Sequence, residues 1–194
     1  MWVIGIKGGI GSGKSQVMKF LQSQWNAEVI LADEAAHELM EPGQPGYDEV
    51  VSLLGYGILQ EDGRIDRQAM AARIFHDEQL LNQVNQLIHP MVWDRIKSRI
   101  RKSQKELVAV EAALVDEREK NLYDEVWYVY ASEETRISRL MEGRGYTREK
   151  AESIMKQQLS PEEYRNICTR VIDNEGTLEE TEKQINQIVR NRLK

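Results

Sequence analysis

Cysteine is nearly missing from this chain: Cys168 is the only one among 194 residues. A single thiol can form neither an internal disulfide framework nor a cysteine metal cluster; it fits a reducing, cytoplasmic setting, where it packs as a small hydrophobe. Long apolar runs are missing too, and no basic leader precedes the first apolar segment, which argues against secretion and against a membrane span. Positive charge is in deficit, with a formal net charge of −6, the opposite of what a general nucleic-acid binder needs. No internal repeat or low-complexity segment is visible. What is left is a soluble chain, 41% hydrophobic and long enough to bury one sizeable core as a single domain.

Apolar, β-branched runs recur at 3–6, 29–31, 107–110, 126–130 and 171–172, with helical patterns between them. That alternation predicts an α/β fold, a parallel sheet with helices on both faces. Helix starts are legible. Ser132 precedes Glu133 and Glu134, Ser160-Pro161-Glu162-Glu163 combines an N-cap, a first-turn proline and a capping-box glutamate, and Thr177 stands three before Glu180. Arg190, Arg192 and Lys194 close the last helix with the charge its dipole prefers. Between Arg95 and Lys105 lie six basic residues, but Val92, Ile96 and Ile100 recur every fourth position, so a solvated amphipathic helix accounts for them.

Two stretches exceed a minimal alternating sheet. About seventy mostly helical residues separate the second run from the third, far more than a crossover requires, and they read as an insertion that holds a second substrate. The stretch 136–165 carries Arg136, Arg139, Arg144, Arg148 and Arg165 around Gly143-Arg144-Gly145. It has the make-up of a lid over phosphates; the competing reading is a charged helical hairpin.

The most specific signal is Gly-Gly-Ile-Gly-Ser-Gly-Lys-Ser at 8–15, which satisfies GxxxxGK[ST] directly after the first strand and before a helix with Val17, Leu21 and Trp25 on one face. The pattern predicts a nucleoside triphosphate site. Gly8, Gly9, Gly11 and Gly13 let the backbone turn its N–H groups, including that of Ser12, toward an anion at a helix N-terminus. Lys14 then reaches the β- and γ-phosphates, and Ser15 gives a hydroxyl to Mg²⁺.

Ligands of open α/β sheets sit at the carboxyl ends of the strands, and two carboxylates lie there: Asp33 after the second run and Glu111 after the third. Phosphoryl transfer to a hydroxyl needs a base for the hydroxyl proton, cations on the phosphoryl and a closed site. Asp33 can be the base. It can also simply cap the helix beginning at Glu34, and Glu111 is open between a substrate contact and a supporting acid. His37 and His76 read as surface residues. His89-Pro90 falls within the insertion, where the proline is expected to break or restart a helix and leave the imidazole at the joint, packed or touching a ligand.

Taken in order, the segments at 8–15, 29–33, 41–43 (Glu-Pro-Gly), 58–60 (Ile-Leu-Gln), Asp66-Arg67, 73–75 (Arg-Ile-Phe), His89-Pro90 and 171–176 (Val-Ile-Asp-Asn-Glu-Gly) make the chain resemble the dephospho-coenzyme A kinases nearly end to end. The resemblance implies a phosphate-loop NTPase fold with a five-stranded parallel core (1–33, 105–135 and 166–194), a helical coenzyme-A-binding insertion (34–104) and a lid (136–165). The implied activity is a Mg²⁺-dependent kinase, monomeric or weakly oligomeric, that moves the γ-phosphate of ATP to the ribose 3′-hydroxyl of dephospho-coenzyme A, the last step of coenzyme A biosynthesis. Carried over by position, Asp33 and Lys14 are the catalytic pair. Gln16, Arg139 and Arg144 join the loop at ATP, and Arg67, His89 and Glu111 join Asp33 at the acceptor. Three departures stand out: Gln16 replaces a frequent threonine, Leu31 replaces a frequent aspartate, and the family's Asp-x-Pro-Leu-Leu-x-Glu run reads Glu-Ala-Ala-Leu-Val-Asp-Glu at 111–117. Two other readings share the loop. Nucleoside monophosphate and shikimate kinases have the same core but not the long insertion; a GTPase switch needs an Asn-Lys-x-Asp segment that the sequence lacks.

Overall fold

The structure is a computed structural model that describes residues 1–75, 77–112 and 121–193. The expectations for His76, for 113–117 and for Lys194 lie outside those residues. Each apolar run forms a strand: β1 (Trp2–Lys7), β2 (Glu28–Leu31), β3 (Leu107–Glu111), β4 (Glu125–Tyr130) and β5 (Arg170–Asp173). They make one parallel sheet in the order β2-β3-β1-β4-β5. The middle strand, β1, is buried at every position, which is why its residues 2–6 are apolar without alternation. Pairing of Ile6 with Glu111 and of Tyr130 with Asp173 aligns carboxyl ends along the same edge, the edge from which the phosphate loop leaves β1.

The helices described are α1 (Lys14–Trp25), α2 (Ala32–Leu39), α3 (Pro45–Leu54), α4 (Arg67–Phe75), α5 (Glu78–Lys102), α6 (Glu133–Arg144), α7 (Arg148–Met155), α8 (Pro161–Ile167) and α9 (Leu178–Arg192). The chain divides into two compact units, Met1–Val29 with Ser103–Lys194, and Ile30–Lys102. In the first, the expected helix starts are present. Ser132 accepts from the Thr135 N–H, and Ser160 and Thr177 each complete a capping box, with Glu163 and Glu180 respectively.

In the second unit, α5 runs through Pro90 without a break, contrary to the expectation that the proline interrupts it. The reason is tertiary. Val84, Ile88, Val92, Ile96 and Ile100 form one buried stripe that keeps its four-residue spacing across the proline, and Trp93 is buried beside it. An interior proline costs about 3 kcal/mol, and burying each such side chain returns roughly 1.5–3 kcal/mol, so packing wins. The basic face of α5 is partly used: Arg95 donates to Glu38 Oε2 at 3.4 Å and to Gln44 Oε1 at 3.0 Å, tying α5 to α2 and to the turn before α3.

Candidate active site

The loop after β1 takes the shape its glycines permit. Gly11 and Gly13 have φ of 78° and 96°, in the left-handed region, and α1 begins directly after Gly13. The N–H groups of Gly11, Gly13, Lys14 and Ser15 have no intramolecular partner among the described residues. Four free donors on a strand-to-helix turn form an anion nest, strengthened by the positive end of the α1 dipole. Lys14 is held across the nest, its Nζ donating to Gly8 O at 2.9 Å and lying 3.3 Å from Glu111 Oε1. The structure therefore brings Glu111 to Lys14, which follows from the β1–β3 register.

Three side chains from the same unit hold the loop from outside. Arg136 Nε donates to Ile10 O at 2.8 Å, and Arg136 Nη2 donates to Gln158 Oε1 at 2.9 Å. That same oxygen accepts the Ile10 N–H at 2.9 Å, so both backbone groups of Ile10 are occupied. Asn174 Nδ2 donates to Ser12 O at 2.7 Å, while Asn174 Oδ1 accepts from Thr181 Oγ1 at 2.8 Å. Asn174 is itself placed by its N–H to Tyr130 O at 2.8 Å, which extends the β4–β5 ladder by one residue. The Ile10 side chain packs on the cluster of Ile137, Leu140 and Ala151 from α6 and α7.

Arg139 Nη2 donates to Asn174 O at 2.8 Å, whereas Arg139 Nη1 and Ser12 Oγ are buried with no hydrogen-bond partner among the described residues. A buried polar atom without a partner costs about 1–3 kcal/mol, which a bound polar ligand can recover. Burial is the main cause disfavouring the charged form of Arg136, which is 7% exposed. Burial also raises Tyr128 and Tyr164, whose rings stack at 4.9 Å. Glu175 is held below the ordinary carboxylate range, first by the Ser132 N–H at 2.6 Å and then by the Thr135 and Ser132 hydroxyls at the start of α6.

The arginines of 136–165 thus have separate fates. Arg136 sits under the loop and Arg139 on Asn174; Arg144 is exposed with no partner among the described residues. Arg148 is clamped by both oxygens of Glu134, at 3.1 and 2.8 Å, which raises its pKa. Ser15 and Gln16 are exposed in the first turn of α1. Asp33, Arg67 and His89 belong to the unit Ile30–Lys102. Asp33 lies inside the first turn of α2, one residue beyond its start, and Leu31 occupies the N-cap position, so Asp33 does not cap the helix. Arg67 opens α4, where Asp66 accepts from the N–H groups of Gln68 and Ala69. His89 is half-buried in mid-α5. Asp33, Arg67 and His89 have no polar partner among the described residues.

The supports are not legible in the sequence pattern: no local pattern marks Gln158 or the loop-holding role of Asn174, and the arginine-rich composition of 136–165 suggests for Arg136 only a lid cation. Asn174 carries the one available signal, a polar residue directly after a strand that ends at the ligand edge.

The family model for dephospho-CoA kinase matches residues 2–180. The chain is 37% identical to dephospho-CoA kinase of Geobacter sulfurreducens over 97% of each chain. It is 36% identical to that of Carboxydothermus hydrogenoformans, over 94% of this chain and 90% of the relative. Among solved structures, TT1252 from Thermus thermophilus superposes with a TM-score of 0.82 at 29% identity, covering 98% of this chain and 97% of the other.

Proposed function

The chain belongs to the dephospho-CoA kinase family, and from that premise we propose how its residues share the transfer of the ATP γ-phosphoryl group to the ribose 3′-hydroxyl of dephospho-CoA. It is an ATP-dependent kinase, as the family implies. One observation carries the assignment of residues: four unpartnered N–H groups and Lys14 converge on a turn that is already shaped, so a polyphosphate finds its donors in place.

In this reading Gly8, Gly9, Gly11, Ser12 and Gly13 cradle the β- and γ-phosphates. Lys14 leaves Gly8 O and Glu111 for the phosphate oxygens, a stronger acceptor set. The Ser15 hydroxyl, exposed and without an intramolecular partner among the described residues, suits Mg²⁺, which is usually held through one or two protein oxygens and the substrate phosphates. Bound there, the ion would supply charge neutralisation for the phosphate oxygens. Glu111 takes the Lys14 ammonium in the absence of nucleotide and turns to the acceptor side when it is bound. Asp33, a carboxylate with no competing partner among the described residues, accepts the proton of the 3′-hydroxyl. Arg67 and His89 bind the acceptor within the helical segment 34–104, and Gln16, Arg139 and Arg144 complete the ATP side, with 136–165 acting as the lid. No helix among the described residues is long and apolar enough to cross a membrane; the reading places the enzyme in the cytoplasm, as a monomer or weak oligomer.

The test is a parallel assay with ATP and three acceptors: dephospho-CoA, a set of nucleoside monophosphates, and shikimate. Mass analysis should find one added phosphate on dephospho-CoA only. Phosphorylation of another acceptor at a comparable kcat/KM would overturn the assignment.

A further inference from the structure

An arginine that is 7% exposed normally lies against a carboxylate, because an unpaired buried charge is costly. Arg136 does not. Its hydrogen bonds go to two neutral oxygens, Ile10 O and Gln158 Oε1, and no ion pair to it exists among the described residues. The rings of Tyr128 and Tyr164 and the carboxylate of Glu133 act on it only through space. It lies directly against the loop: a Cβ placed on Gly9 would collide with its Nη2, and one placed on Gly11 would come within 2.8 Å of its backbone oxygen. The fold therefore maintains a desolvated positive charge against the outer wall of the phosphate loop with no counter-charge in contact with it among the described residues.

The contact also has a direction. In a trans peptide the C=O and the following N–H point opposite ways, so pulling Ile10 O toward Arg136 turns the Gly11 N–H away from it. The Gly11 N–H is one of the four free donors of the nest. Asn174 acts in the same way on the next peptide but one, through Ser12 O and the Gly13 N–H, with a neutral amide. Only Arg136 adds charge.

We propose that Arg136 is a positioning residue for ATP: a buried cation whose missing counter-ion is the polyphosphate itself, and which aims the Gly11 N–H at that polyphosphate from behind the loop. This rests on the loop being the polyphosphate site. Nucleotide binding then supplies the anion that balances the charge, so part of the affinity comes from relieving the apo protein.

The experiment compares the full-length protein with Arg136→Lys, Arg136→Gln and Arg136→Met. Each is titrated calorimetrically with inorganic triphosphate, and kcat and both KM values are measured. Wild-type protein must bind triphosphate; if it does not, the loop assignment itself fails. Given that, loss of charge should weaken triphosphate binding and raise the KM for ATP by about tenfold or more in Arg136→Gln and Arg136→Met, with Arg136→Lys intermediate and the KM for dephospho-CoA unchanged in all three. Should Arg136→Met not fold, Arg136→Gln, which keeps an amide donor, decides. Wild-type affinity in a folded Arg136→Gln, or equal losses in Arg136→Lys and Arg136→Gln, would overturn the proposal, since a structural brace requires no charge.

Discussion

The two units of this protein treat their functional side chains in opposite ways. In the unit of Met1–Val29 and Ser103–Lys194, long side chains are bonded so as to hold the phosphate loop with its N–H donors open: Lys14 to Gly8 O and Glu111, Arg136 and Gln158 to Ile10, Asn174 to Ser12 and Thr181. In the unit Ile30–Lys102, Asp33, Arg67 and His89 have no polar partner among the described residues. The contrast separates two tasks. Donors for an anion must be aimed before it arrives, because reorganising them during the reaction would raise the barrier. A base for a hydroxyl proton needs the reverse, a carboxylate whose lone pairs no resident donor has already occupied.

The largest test removes the centre of the bonded region. Lys14→Ala should lower kcat/KM by about 10³-fold or more in a protein with unchanged circular dichroism, since the lysine packs no core. Near-normal turnover would end the phosphate-loop assignment. On the unbonded side, Asp33→Asn keeps the shape and loses the base, so kcat should fall by roughly 10²- to 10⁴-fold while ATP affinity barely moves. Because Leu31, not Asp33, sits at the N-cap, a change confined to the melting temperature would contradict both the structure and the role.

Three smaller effects sharpen the contrast within the bonded unit. Arg139→Ala should lower kcat/KM by about tenfold, more than Arg144→Ala and far more than Arg192→Ala; hydrogen exchange across 139–158 should slow when nucleotide and acceptor are both bound. Equal, negligible losses with ligand-independent exchange would reduce the segment to a charged hairpin. Asn174→Ala removes a buried donor from Ser12 O, so stability should drop by about 1–3 kcal/mol and the KM for ATP should rise together with it. A stability loss with an unchanged KM would show that the loop keeps its shape without that strut.

The smallest effect concerns acid. Glu175 has its folded pKa depressed below 4.5, so its contribution to stability is fully present above about pH 4.5 and is lost as pH falls through the folded value. Melting temperatures from pH 7 to pH 3 should therefore fall more steeply for the wild type than for Glu175→Gln. Parallel curves would mean that the anchor at the start of α6 adds nothing.

How much of this could be read from residues alone follows the range of the interaction. The loop, the five strands and the capped starts of α6, α8 and α9 are written in short contiguous patterns whose physics is local. Asn174, Gln158 and Arg136 act through partners more than a hundred residues away, and a lone polar residue has no periodicity to give it away. Pro90 shows the opposite failure: its local rule is sound, and the tertiary burial of the apolar stripe of α5 itself overrides it.

Those long separations have a meaning for the chain as it is made. The contacts that hold the loop at Ile10 and Ser12 span 126, 148 and 162 residues. A ribosome has thus released the glycine-rich turn long before the residues that set its shape emerge, and the entropy of closing so large a loop must be met first. Nucleotide capture is then among the last abilities this unit acquires during synthesis, and an emerging chain cut short before Asn174 would carry the complete motif yet lack its strut.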